Sequence, residues 1–364
     1  MGYVAGERAI LRITLYEHEG VLREHRAEWN ELLTDSAANQ IFLTSEWQST
    51  WWEAYQPGQL WVLVVRDEDG RWMGIAPWFI DTSSDERRTV RTVGCVDVTD
   101  YLDIVARRGH ERGVFEAIAG WVATHTGAFD EILLCNIPET SLALKEMPRA
   151  VEAHGLTSAV RLQEVCPIVR LPGTFADYVN SLDKKNRHEL RRKLRRAADG
   201  VAWYIAGSEH DLGEELAHFI TLMASSSEQK AAFLQDGKNR RFFELMVPLM
   251  AERGWLQLAF LTVRGERAAA YLNFAYDRRV LVYNSGLAPT AYGHLSPGIV
   301  LLSHLIERAI EQGYHTFDFL RGDEPYKYDM GGRNTGVYQL MITARGSEVG
   351  PAAAAGVLGP AYPP

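Results

Sequence analysis

The sequence predicts an α/β (α+β) protein of two similar domains, each with a mixed, mostly antiparallel sheet flanked by helices. Three observations carry this. At 364 residues the chain exceeds the roughly 100–200 residues of an ordinary domain. At 46% hydrophobic and 23% charged residues it has the apolar material for packed cores. One order of elements, antiparallel strands followed by a helix and a parallel return strand, reads twice along the chain.

In the first half, Leu60 to Val65 reads as a buried strand, Asp67-Glu68-Asp69-Gly70 as a turn, and Met73 to Ile80 as the second arm of a hairpin. Tyr101 to Ala106 reads as a strand, Glu111 to Thr124 as a helix and Glu131 to Asn136 as a further strand. In the second half, Trp255 to Val263 is a strand, Arg264 to Arg267 a turn, and Ala268 to Tyr276 and Arg279 to Ser285 two more strands. Helix Gly298 to Glu311 follows, with Ile299, Leu302, Leu305, Ile306 and Ala309 near a 3.6 period, and Gly313 ends it before the strand Thr316 to Leu320.

Between the repeats lies a different element. Phe175 to Leu182 reads as a short helix and Lys184 to Ala198 as a second, whose KKNRHELRRKLRRAA holds eight Lys or Arg against the single Glu189. Leu190, Leu194 and Ala197 form its narrow apolar stripe, leaving Lys184, Arg187, Arg191 and Arg195 on another face. Phe242 to Arg253 reads as a further amphipathic helix. Two prolines in VCPIVRLPG place a boundary near Val165 to Gly173, giving domains 1–165 and 166–350, the latter carrying the basic helical insertion 175–198. The Ala-, Gly- and Pro-rich stretch 351–364 reads as a flexible tail.

A formal charge of −9 disfavours broad wrapping of nucleic acid or of an anionic membrane, so any basic function must be local. Cys95, Cys135 and Cys166 lie far apart with no C-x-x-C pair, so no zinc knuckle or disulfide framework is legible and a reducing cytoplasm fits. The first twenty residues carry charges where a signal peptide needs its apolar core, no run approaches a membrane span, and Gly6 stands where myristoylation wants Ser or Thr. No His, Cys or carboxylate spacing suggests a metal: His210 and His218 are too far apart for H-E-x-x-H, and His304 stands alone. Ser225-Ser226-Ser227 lacks a nucleophile elbow, and Trp47, Trp51 and Trp52 read as the core face of a helix.

The segment YGHLSPG, Tyr292 to Gly298, leads into the helix that starts at Gly298. A Gly- and Pro-bearing loop at a helix N-terminus presents backbone N–H groups and the positive dipole end, which suits a phosphate. Ser296 as an N-cap and Pro297 as the first helical residue account for the same residues without a ligand.

From Ser296 to Gly332 the run SPGIVLLSHLIERAIEQGYHTFDFLRGDEPYKYDMGG resembles the C-terminal signature of the CelD/BcsL-like branch of the GNAT acyltransferases, a branch related to the Fem peptidyltransferases. KKNRHELRRKLRR resembles that branch's basic helix. The resemblance spans most of the chain, strongly over residues 175–335, and implies tandem GNAT-like acyl-CoA N-acyltransferase domains, the N-terminal one degenerate. It implies an acyl-CoA (acetyl-CoA) donor and no metal, with the pyrophosphate at His294, Leu295, Ser296, Gly298 and Ile299. His294 stands near the usual basic residue, and Gly298 is the one glycine of the family's turn.

The resemblance also places catalysis after the last core strand, where GNAT folds part their parallel strands. Acyl transfer to an amine needs a base, donors for the oxyanion and an acid for the leaving thiolate. Tyr326 suits the acid. Lys327, in Tyr326-Lys327-Tyr328, resembles the Tyr-Lys-Phe element of Fem enzymes and suits stabilisation of negative charge. Asp318 suits the base or an orienting group, or else pairs with Arg321. Lys184, Lys185, Arg187, Arg191 and Arg321 are the candidates for a small or carbohydrate- or peptide-linked, phosphate-bearing acceptor. The leading expectation is a cytoplasmic acyltransferase acting on an amine or hydroxyl. Its rivals are a non-catalytic regulatory or binding protein on the same fold and an aminoacyl-tRNA-dependent Fem-like transferase, whose basic helix would serve tRNA. Fold analogy does not separate them.

Overall fold

A computed structural model describes residues 10–83, 87–95, 98–288 and 292–344. They divide into two compact units, one comprising the chain to Glu164 and again from Gly336, the other Val165–Thr335. The sequence start at 1–9 and the tail 351–364 lie outside the described residues.

The first unit runs through β1 (Arg12–Tyr16), α1 (Gly20–Glu24), α2 (Arg26–Thr34), α3 (Ser45–Tyr55), β2 (Gly58–Leu60), β3 (Val62–Arg66), β4 (Trp72–Ala76), β5 (Trp78–Asp81), β6 (Thr89–Thr92) and β7 (Val105–Ala106). It continues with α4 (Glu111–Thr124), β8 (Glu131–Pro138), α5 (Ala143–Ala153) and β9 (Leu156–Arg170), whose residues from Val165 belong to the second unit. The second unit then holds α6 (Phe175–Ser181), α7 (Lys184–Arg196), β10 (Val201–Ile205), α8 (Leu212–Ser226), α9 (Glu228–Gln235), α10 (Gly237–Glu252), β11 (Leu256–Val263), β12 (Glu266–Tyr276), β13 (Arg279–Leu287), α11 (Pro297–Glu311), β14 (Thr316–Asp318), α12 (Pro325–Asp329) and the start of β15 (Arg333–Ala344).

In the first unit one sheet has the order β1-β3-β4-β7, and a second set of strands runs β9-β15-β8-β6-β5-β2. The expected hairpin is therefore split between two sheets. Trp61 parts β2 from β3 while its N–H bonds Trp78 O at 2.9 Å, and Pro77, which has no N–H to give a ladder, parts β4 from β5. Of the strand expected over Tyr101 to Ala106, only Val105–Ala106 forms one. β6 and β8 are parallel, joined through α4, as the repeated pattern requires. Around them pack Trp78, Val90, Ile118, Val122, Ile132 and Leu134. Trp47 and Trp51 are fully buried and Trp52 is 7% exposed, which is the core face expected of α3.

The same parallel neighbours correct the cysteine reading. Cys95, just past β6, is bonded to Cys135 of β8, with Cα atoms 6.2 Å apart across a sequence separation of 40. Sequence spacing carries no trace of a pair made by strand order, and with a disulfide present the cysteines no longer argue for a reducing compartment. Pro167 sits inside β9, which ends at Arg170, so the expected boundary stretch Val165 to Gly173 begins as strand and leaves it only at Leu171. The last strand from Gly336 joins the first unit, whereas the sequence reading placed everything to residue 350 in the second.

Asp103 is buried in the first unit, and burial pushes its carboxyl up to about 7 against hydrogen bonds from Ser141 and the Ile104 N–H. A raised folded value means a proton kept on folding that the unfolded chain has released. Stability from this group is full below about pH 4 and lost as pH rises through about 7. Asp103→Asn is expected to flatten that slope and stabilise the protein at pH 8 by up to about 4 kcal/mol. Urea unfolding at pH 5 and pH 8 measures it; an equal effect at both would reject the assignment.

The second unit's sheet runs β10-β11-β12-β13-β14-β9. α11 covers one face, where Ala259, Leu261, Tyr271, Val280, Val282, Leu302, Leu305 and Phe317 cluster. Leu190, Ala197 and the half-buried Leu194 of α7 join that cluster, which is the stripe read from the sequence. On the other face α8 lies tightly on β13. A Cβ on Gly286 would fall 2.6 Å from Met223 N and 2.7 Å from Leu222 Cβ, contacts that backbone cannot yield. Gly286→Ala is expected to destabilise by about 1–3 kcal/mol, read as a lower urea midpoint with an unchanged slope.

Candidate functional site

β13 and β14 run parallel for three paired positions only: Arg279 with Thr316, Val280 with Phe317 and Leu281 with Asp318. Beyond them β13 continues to Leu287, while the other chain turns off through Leu320, held at φ 56°. The two strands thus part into a wedge. At its mouth stands the first turn of α11: a Cβ on Gly298 would lie 2.9 Å from Leu287 Cδ2 and 3.7 Å from Tyr271 Oη. Glycine here keeps the helix end open beside Tyr271.

Tyr271, Tyr326, Glu324 and Lys230 share one electrostatic neighbourhood. Burial, then Tyr271 and the Glu324 charge, hold the Tyr326 phenol well above its usual range. Burial and Glu324 do the same to Tyr271. The Lys230 ammonium is pushed down to about 8 by burial, against the pull of Glu324. Both phenols therefore keep their protons at neutral pH and remain proton donors.

Lys327 is 2% exposed. Its Nζ donates to Arg321 O at 2.6 Å and to Leu320 O and Gly322 O at 3.3 Å, and it lies 2.8 Å from Glu324 Oε2. The residue thus fastens the turn after β14 and holds Glu324 in place. Asp318, 4% exposed, accepts the Leu320 N–H at 2.8 Å and shapes the same turn. Arg321 contributes its carbonyl to the Lys327 clamp.

His294 and Leu295 form a short 3-10 turn before α11. Ser296 sits at φ 52° and its side chain makes no capping bond, so the ordinary N-cap expected there is absent and the hydroxyl leaves the helix end to other partners. Pro297 is the first helical residue, as read. Leu295 and Ile299 lean on the core under α11. Arg196 at the C-terminal end of α7 donates to His294 O at 2.8 Å, which brings the basic helix against the turn. The expected acceptor residues lie toward the helix's other end. Arg187 and Arg191 bond Asn180 of α6 at 2.8 and 3.0 Å. Lys184 and Lys185 are exposed, about 16–18 Å along the helix from Arg196 at 1.5 Å per residue.

Sequence reasoning missed Lys230, Tyr271, Asn273 and Glu324. Asn273 is fully buried, and neither Oδ1 nor Nδ2 has a hydrogen-bond partner among the described residues. It pairs with Val282, the first residue of β13 past the parallel ladder. Such an amide costs about 1–3 kcal/mol and marks sites that wait for a ligand or water. A signal did exist: Tyr271 and Asn273 are the polar residues, two apart, of an otherwise apolar AAAYLNF strand. Nothing in the local sequence around Lys230 gave one, because an intervening sheet edge brings it to the wedge. Among the described residues no group of three His, Cys, Asp or Glu side chains could hold a metal ion, and no helix is long and apolar enough to cross a membrane.

Residues 184–328 match the family described as an acetyltransferase (GNAT) domain. No curated protein matches the sequence. Among solved structures the chain is similar to FemX, at TM-score 0.63 and 12% identity over 90% of this chain and 96% of that one. It is also similar to L-PGS from Bacillus licheniformis, at TM-score 0.55 and 12% identity over 90% and 93%. A conserved protein of unknown function from Bacteroides thetaiotaomicron gives TM-score 0.57 and 12% identity over 91% and 100%. The α/β fold with mostly antiparallel sheets is thus of the GNAT type, and the segment that matches in sequence is the one that builds the wedge.

Proposed function

We propose that the second unit is the catalytic half of an acyltransferase of the CelD/BcsL-like branch, with the first unit its degenerate counterpart. It moves an acyl group from a phosphate-bearing activated donor to an amine or hydroxyl of a small or precursor-linked acceptor. The observation that carries this reading is the wedge between β13 and β14, with the open helix end at Gly298 on one side and Tyr326 and Glu324 on the other.

The donor's phosphates lie at the first turn of α11, over His294, Leu295, Ser296, Gly298 and Ile299, where backbone N–H groups and the helix dipole favour negative charge. The acceptor's nitrogen or oxygen attacks the acyl carbon and forms the new bond. Its proton passes to a carboxylate, Glu324 in the wedge rather than Asp318, which holds the turn. As the tetrahedral intermediate collapses, the bond to the leaving sulfur or oxygen breaks and Tyr326 protonates that atom. Lys327 positions Glu324 and adds positive charge near the developing oxyanion. Arg187, Arg191, Lys184, Lys185 and Arg321 present cations to an anionic acceptor. Acyl-CoA is the donor implied by the GNAT domain. Aminoacyl-tRNA is the second reading, favoured by the Arg196 bond that sets the basic helix against the donor turn. Either donor places the reaction in the cytoplasm.

The test is transfer of label from acetyl-CoA or from aminoacyl-tRNA to amine acceptors, with Gly298→Glu as the control. Gly298→Glu adds a side chain and a negative charge at the phosphate seat and is expected to weaken donor binding at least about ten-fold. No transfer from either donor, with unchanged nucleotide binding in folded Gly298→Glu, would favour the non-catalytic reading.

A further inference from the structure

The edge of β13 that faces the wedge is already occupied. Past the register shift at Leu272/Asn273, Ala288 N–H bonds Ala268 O of β12 at 3.0 Å. By alternation, Ser285 and Leu287 turn their N–H and C=O groups to the opposite edge, where β14 has left. Each of those groups has a partner. Ser285 N–H donates to Asn284 Oδ1 at 2.8 Å, and Ser285 O accepts from Lys230 Nζ at 2.8 Å, with Ser285 Oγ at 3.2 Å from the same ammonium. Leu287 N–H donates to Ser226 Oγ at 2.7 Å, and Leu287 O accepts from Ser225 Oγ at 3.2 Å and, more weakly, from Ser226 Oγ at 3.5 Å. The end of α8 and the start of α9 therefore fill the place an added strand would take.

Coenzyme A carries its acyl group on a pantetheine arm with two secondary amides. Such an arm is peptide-like and gains affinity by adding to an open strand edge. Here each new bond to Ser285 or Leu287 would first break an existing one, so the exchange yields little. We infer that Ser226 and Lys230 are specificity-determining residues that bar a pantetheine arm from β13, leaving the wedge to donors whose acyl group arrives on a leaving group without such an arm. This rests on the reading of the wedge as the acyl-transfer site. The position is built in: Ser227 Oγ caps α9 by accepting the Lys230 N–H at 3.2 Å, which aims the side chain at the edge. Burial of its ammonium strengthens its bond to Ser285 O, since a desolvated cation without acceptors is costly.

The experiment compares coenzyme A, its arm-less nucleotide adenosine 3′-phosphate 5′-diphosphate and pantetheine by calorimetry on the wild-type chain and on Ser226→Ala/Lys230→Met. In the wild type, coenzyme A and the arm-less nucleotide are expected to bind within about two-fold of each other. In the double variant coenzyme A should gain about ten-fold, roughly the worth of one freed hydrogen bond or two, while the arm-less nucleotide stays unchanged. Wild-type binding of coenzyme A ten-fold or more above the arm-less nucleotide, or no gain in the variant, overturns the inference. If neither nucleotide binds, the phosphate seat of the proposed function fails, and pantetheine alone decides the present point. Binding to the variant and not to the wild type supports it; equal or absent binding to both rejects it. Should the double variant not fold, Ser226→Ala alone, which removes only a hydroxyl, carries the same comparison through Leu287.

Discussion

Replacing Tyr326 by Phe is expected to lower the single-turnover rate by roughly 10²- to 10⁴-fold, the scale of general acid catalysis, while donor affinity changes by less than about two-fold. The ring stays, and with it the edge-on contact to Phe319 at 6.0 Å between centroids; only the hydroxyl is lost. Because burial, Tyr271 and Glu324 all raise its pKa, the wild-type phenol stays protonated through the ordinary tyrosine range near pH 10. Any alkaline fall in rate below that pH must come from another group. Single-turnover measurement with saturating donor separates the chemical step from product release. A rate near wild type in folded Tyr326→Phe would remove Tyr326 as the acid and leave Tyr271, the other protonated phenol at the wedge, as the candidate.

Lys327→Met is expected to act on stability as well as on rate. The structure gives the ammonium three carbonyl acceptors and the Glu324 carboxylate in a buried position. Removing one partner of a buried ion pair typically costs about 3–5 kcal/mol, because the other charge is stranded. Calorimetry should show that loss as a lower Tm. The rate should fall on the order of 10²-fold, partly through lost charge and partly because Glu324 and the turn are no longer held. A Lys327→Met/Glu324→Gln pair distinguishes the two contributions. It removes the stranded charge and should recover much of the stability, whereas the rate should stay low if either residue serves the chemistry. Recovery of both would make Lys327 a structural clamp and nothing more.

The regular elements of the second unit were largely legible in the sequence. The periodicity of Gly298 to Glu311 and the strand runs Trp255 to Val263 and Ala268 to Tyr276 reflect burial of one face or of both, and burial leaves its imprint on local residue order. The stripe Leu190, Leu194 and Ala197 was legible for the same reason. The hairpin of the first half pairs antiparallel as read, but its division between two sheets was not legible, because its runs are apolar throughout. Nothing in such a run says that Trp61 and Pro77 hand the chain from one sheet to another.

The candidate site divides along the same line. Tyr326 and Lys327 stood out through a run that resembles a family signature, and Gly298 through its place before a helix. Lys230, Tyr271 and Glu324 did not, because their proximity arises from elements separated by up to about a quarter of the chain. The Cys95–Cys135 bond and the covered edge of β13 are likewise products of strand order. By itself the sequence determined helices such as Glu111–Thr124, the strands of the second unit between Leu256 and Leu287, and where its basic helix lies, since these follow from propensity and from the period of burial. Only the tertiary structure decided which polar groups meet in the wedge and which backbone groups there are already taken. Hydrogen bonds and ion pairs depend on distances of about 3 Å, and residues far apart in sequence come that close only once the sheet has set its order and register.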